Sequence, residues 1–119
     1  MLGKPVGIGG NKIIDRCKKL KDMGYNISFS DGFIPEDKYN KILMESDVIF
    51  SPLNVITKRV SGIKEIYGKT EGSALIFEAV QYSKPLIVPK EFNIIEQLRS
   101  STLQYKTKDD LKNIFKDLI

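Results

Sequence analysis

Between Asn11 and Met23 the apolar residues Ile13, Ile14, Cys17, Leu20 and Met23 recur at intervals of three and four, with Lys12, Asp15, Arg16, Lys18 and Lys19 mostly elsewhere. That spacing predicts an amphipathic helix, stopped at Gly24. Asn26 to Ser30 is a short β-prone run closed by the polar turn Ser30-Asp31-Gly32. Pro35 then opens a second helix from its favoured first position, with Tyr39, Ile42 and Leu43 inward.

Asp47-Val-Ile-Phe-Ser51 is nearly continuous in apolar residues and ends at Pro52, the pattern of a strand buried on both faces. Pro85-Leu-Ile-Val-Pro89 has the same character, bracketed by prolines. Between them a helix is predicted from Ser73 to Tyr82, carrying Leu75, Ile76, Ala79 and Val80. A helix over Ile94 to Arg99, a weak strand at Leu103 to Tyr105 and a closing helix from Lys108, with Leu111, Ile114, Phe115 and Leu118, complete the chain.

Strands alternating with helices need crossover connections, which give a parallel sheet covered on both faces. The expectation is one α/β domain over residues 1–119: a Rossmann-like parallel sheet of about four strands with helices on both faces. Internal repeats and low-complexity tracts are absent. Two stretches break the pattern. From Pro52 to Glu71 no convincing periodicity appears, and connections of that length are usually functional or disordered. Met1-Leu2-Gly3 reads as the tail of a strand whose beginning is missing. A sheet deprived of its first strands would bare an edge, so a homodimer or an edge cap formed by the N-terminal residues is expected.

Composition narrows the chemistry. At 119 residues with 41% apolar and 29% charged side chains the chain suits one compact soluble domain. No run approaches the roughly 18 to 20 apolar residues that cross a bilayer. The start lacks a secretory pattern and Cys17 has no partner for an internal disulfide, so a reducing, cytoplasmic setting fits. On the apolar side of its helix, Cys17 reads as a buried structural thiol rather than a reactive one. A net charge of +4 suits nucleic acid, anionic lipid or a phosphorylated small molecule alike. The lysines are scattered and no aromatic-basic stacking motif is present, which argues against specific nucleic-acid binding. With no histidine and one cysteine, the usual zinc sites and Cys-His or Ser-His-Asp catalysis are not expected.

Open parallel sheets bind ligands beyond the carboxyl ends of their strands, which singles out Gly32 to Pro35, Pro52 to Ser73 and Lys90 to Asn93. The middle segment enters a helix through Thr70-Glu71-Gly72-Ser73. There Gly72 lets backbone approach a ligand, Ser73 can cap, and the first-turn amides carry the positive end of the helix dipole that binds phosphate. Lys58, Arg59, Lys64 and Lys69 add positive charge, so a diphosphate fits; a plain helix start beside a solvated basic loop is the alternative. Glu78, in a helix otherwise apolar or small, can accept hydrogen bonds from a ribose diol, or can be a flank carboxylate paired to Lys84. Gly68-Lys69-Thr70 lacks the spacing of a phosphate loop, with Ile63 where that loop needs glycine. Gly7-Ile8-Gly9-Gly10 lacks the dinucleotide spacing and is expected as a turn before the first helix.

The order Phe33-Ile34-Pro35, Tyr39 to Leu43, Ser46-Asp47-Val48-Ile49-Phe50-Ser51-Pro52, Gly72-Ser73 to Glu78-Ala79, and Ser83-Lys84-Pro85-Leu86-Ile87-Val88-Pro89 resembles the C-terminal domain of GT-B glycosyltransferases of the retaining, group 1 type. The resemblance implies an incomplete GT-B C-terminal domain that binds a nucleotide-sugar donor, UDP-linked sugars among the candidates, for polysaccharide biosynthesis. Carried over, Gly72, Ser73 and Ala74 with Lys69 hold the diphosphate, Glu78 the ribose, and the backbone around Phe33 and Ile34 the base. Thr70 stands where the family has its first glutamate, with Glu71 beside it, and these two are the sugar-proximal positions. Ser83 replaces the family's usual glycine. The N-terminal acceptor domain and the opening strand with its basic pair are expected to be missing, so hexosyl transfer by the chain alone is not expected. No catalytic residue, cofactor or metal is assigned. In a full-length enzyme the setting implied is cytoplasmic and peripheral to the membrane.

Overall fold

A computed structural model describes residues 7–30, 32–58, 61–66, 69 and 73–119. The chain divides into two compact units, Met1–Met44 and Glu45–Ile119.

The first unit contains α1 (Gly7–Asp22) and most of α2 (Glu36–Glu45). The apolar spacing that predicts α1 holds, and Ile14 is buried while Ile13 and Met23 are exposed. The glycine-rich segment is not a turn ahead of the helix: Gly7, at φ 71°, opens α1 and Gly10 is buried within it. Cys17 is half-buried rather than buried. In α2, Leu43 is buried and Tyr39 and Ile42 are half-buried, as the pattern predicts. The Tyr39 amide donates to the Pro35 carbonyl at 2.9 Å, so the proline lies just before the helix. Asn26 to Ser30 does not form a strand. A strand needs ladder partners for its backbone groups; here the Ile27 amide turns back onto the Tyr25 carbonyl at 2.9 Å.

The second unit is built on a parallel sheet of three strands in the order β1 (Ile49–Phe50), β4 (Leu86–Pro89), β5 (Thr102–Tyr105). This is mixed α/β architecture compatible with a Rossmann-like layer, with three parallel strands among the described residues where about four were expected. The proline-bracketed β4 is central, and Leu86, Ile87 and Val88 are fully buried. By contrast β1 is an edge strand of two residues. Among the described residues it pairs only with β4, so Phe50 stays 39% exposed and the expectation of burial on both faces fails for this strand.

Register places Leu86 and Val88 on one sheet face and Ile87 on the other. The first face packs under α3 (Ala74–Tyr82): Leu75 and Ala79 join Leu86, Val88, Phe92 and Leu98 in one core cluster. On the opposite face α4 (Lys108–Leu118) brings Phe115 against Phe50, and Phe50 in turn meets Tyr105. Helices therefore cover both faces of this unit. The helix expected over Ile94 to Arg99 is instead a 3-10 turn at Glu96–Ser101, held by i to i+3 bonds such as Leu98 amide to Ile95 carbonyl at 3.1 Å.

Within 52–71 the described residues are not all irregular. They carry an antiparallel pair, β2 (Ile56–Lys58) and β3 (Lys64–Ile66), with Ile56 opposite Ile66 and Lys58 opposite Lys64. Val55 is buried in the same cluster as Leu75, and Ile66 packs against that cluster. The hairpin is thus fastened to the core that the first turn of α3 also enters.

Candidate functional site

The parallel pairing of β1 with β4 fixes where α3 begins. A helix joining two parallel neighbours runs back across the sheet, so its N-terminus lies at the carboxyl edge, where such sheets bind ligands. Ser73 is the N-cap residue, in extended conformation at φ −114° and ψ 122°. Its hydroxyl makes no capping bond, contrary to the capping role expected of it; its carbonyl accepts from the Ile76 amide at 3.1 Å. By helix geometry the amides of Ala74 and Leu75 have no partner inside α3. The first turn carries no carboxylate of its own to occupy them. Such an end is suited to an anion.

Glu78 lies on the flank of the buried Leu75–Ala79 stripe and is half-buried. A carboxylate held there, just past the first turn, can accept from neighbouring hydroxyls. Of the basic residues assigned to the preceding segment, Lys58 and Lys64 are brought side by side across the hairpin and are exposed, as is Lys69. Two like charges directly opposite one another repel, and a bound anion would relieve that repulsion. Thr70, Glu71, Gly72 and Arg59 lie outside the described residues. Phe33, 90% exposed, and Ile34, half-buried, belong to the first unit, whereas Lys69, Ser73, Ala74 and Glu78 belong to the second.

A second arrangement escaped sequence reasoning. The segment after β4 folds over the outer strand β5, leaving a cavity of about 390 Å³. The Lys90 amide donates to the Tyr105 carbonyl at 2.8 Å, and Gln104 Nε2 donates to the carbonyls of Lys90 at 3.2 Å and Phe92 at 2.9 Å. One side-chain amide thus ties down carbonyls 12 and 14 positions before it. Desolvation, and then the nearby Glu91 carboxylate, push the Tyr105 hydroxyl above its usual pKa. Lys90 to Asn93 was singled out as a post-strand segment, but Arg99, Thr102 and Gln104 carry no local motif. The β4–β5 register brings Thr102 and Gln104 there, and the 3-10 turn leading into β5 brings Arg99.

No helix among the described residues is long and apolar enough to cross a membrane. Compared with family models, with curated proteins and with solved structures, the chain has no match.

Proposed function

We propose that the second unit binds the diphosphate and ribose of a nucleotide sugar, as the donor-binding portion of a GT-B glycosyltransferase acting in polysaccharide synthesis. The observation that carries this reading is the start of α3: two amides without intrahelical partners, no acidic residue in the first turn, and Glu78 half-buried just beyond it. Phosphate oxygens would accept from Ala74 and Leu75, the lysine pair of the hairpin would offset the charge, and Glu78 would accept from the ribose hydroxyls. Transfer requires an acceptor positioned against the donor and a stabilised leaving diphosphate. In this reading those roles fall to a separate acceptor domain, and the chain alone is expected to bind without transferring.

The test is a titration of the isotopically labelled chain with UDP, GDP and ADP, followed by amide shifts. Saturable shifts centred on Ala74, Leu75 and Glu78, weakened roughly tenfold by Glu78→Gln, are expected. Silence toward all three nucleotides would remove the proposal.

A second reading, a non-catalytic α/β interaction module, has one observation in its favour. On the outer face of α3, Phe77 is 73% and Val80 56% exposed, an apolar pair that a protein partner would bury. Loss of nucleotide binding on Glu78→Gln with Phe77→Ser neutral supports the first reading; the reverse supports the second.

A further inference from the structure

We propose that the cavity between the post-β4 segment and β5 is a separate small-molecule site, built for a phosphorylated polyol such as a sugar phosphate monoester. It shares no residue with the start of α3, and stands or falls independently of nucleotide binding there.

The volume, about 390 Å³, lies in the range of pockets that enclose small ligands. The site follows the carboxyl end of the fully buried central strand, a rigid platform at the edge where open sheets take ligands. Its wall is fixed in advance. Both amide hydrogens of Gln104 are spent on the Lys90 and Phe92 carbonyls, which orients the side chain and leaves Oε1 an acceptor. Thr102 is similarly committed: its hydroxyl donates to the Leu98 carbonyl at 2.7 Å, leaving the oxygen lone pairs.

The fixed polar wall therefore accepts hydrogen bonds and donates none from these two side chains. Ligand hydroxyls are the matching donors. The exposed rim has the opposite character, with Lys90 and Arg99 on the lining against one carboxylate, Glu91. A guanidinium and an ammonium at one mouth suit a phosphate monoester, whose oxygens accept in the fork geometry of arginine. Glu91 supplies a further acceptor for hydroxyls, while Phe92, buried below, provides an apolar floor. Hydroxyls on one side and a doubly charged anion on the other define the ligand class.

The experiment is a titration of the whole labelled chain with ribose 5-phosphate, ribose and inorganic phosphate, reading the side-chain amides of Gln104 and Asn93 and the backbone of 90–94. Ribose 5-phosphate is expected to give saturable shifts there, at least roughly tenfold tighter than either component, with Ala74 and Leu75 unmoved. Arg99→Ala, an exposed residue, should weaken binding roughly tenfold, and Gln104→Leu should abolish it. If Gln104→Leu does not fold, Arg99→Ala still decides. No shift with ribose 5-phosphate at millimolar concentration, equal shifts with inorganic phosphate alone, or binding indifferent to Arg99→Ala would each overturn the proposal.

Discussion

Lys58 stands directly opposite Lys64 across the hairpin β2–β3, placing two ammonium groups on one face of a ladder only three residues long. Opposed like charges cost a few tenths to about 1 kcal/mol relative to neutral neighbours. Lys64→Glu should therefore stabilise the free chain by about 0.5 kcal/mol while weakening UDP binding. Chemical denaturation without ligand and a parallel UDP titration measure the two effects. A variant that loses stability and keeps its affinity would show that the pair has no electrostatic role.

Ser83 ends α3 in the left-handed region, at φ 52° and ψ 45°. Its amide bonds to the Val80 carbonyl at 3.2 Å and the Lys84 amide to the Ala79 carbonyl at 3.0 Å, the Schellman pattern that glycine favours. A β-carbon there is strained, so Ser83→Gly is expected to raise stability by about 1 kcal/mol. An unchanged denaturation midpoint would count against the strain.

Thr107 and Asp110 close a reciprocal box at the start of α4. Thr107 Oγ1 accepts from the Asp110 amide at 3.1 Å, and Asp110 Oδ2 accepts from the Thr107 amide at 2.9 Å and the Lys106 amide at 3.1 Å. The Thr107 and Lys106 backbone bonds lower the Asp110 pKa from its ordinary 3.8. A depressed folded-state pKa gives stability that is present above the unfolded value and lost as pH falls below about 3.8 through the folded value. Asp110→Asn should flatten that acid limb, and Thr107→Ala should cost about 1 kcal/mol at neutral pH. Stability followed between pH 5 and pH 2 tests both.

Phe50 and Phe115 meet edge to face, with centroids 5.5 Å apart and planes at 84°. Aromatic pairs of this geometry contribute about 0.5 to 1.5 kcal/mol beyond area burial. A double-mutant cycle with leucine at each position should return a coupling in that range. A coupling near zero would mean that α4 is held to the sheet by other contacts.

Local pattern made most helices legible. Spacing in α1 and α2, the apolar run of α3 and the Leu111, Ile114, Phe115 and Leu118 spacing of α4 each depend on residues within two turns of one another, so a linear reading suffices. The proline-bracketed β4 was legible too, because a strand buried on both faces leaves no polar alternation. The helix start at Ser73 was legible as well, though whether its hydroxyl caps depends on geometry that composition does not specify.

What the chain by itself determined is its helical periodicity, its apolar central strand and the chemical character of the α3 start, all set by short-range spacing and side-chain type. Tertiary structure decided the rest. It left Asn26 to Ser30 without a ladder, made β1 an exposed edge, and paired Ile56–Lys58 with Lys64–Ile66, segments too short to show alternation. It also brought Gln104 onto the carbonyls of Lys90 and Phe92. Each of these depends on which distant segment supplies the partner hydrogen bonds, and that choice is made by the packing of the whole unit.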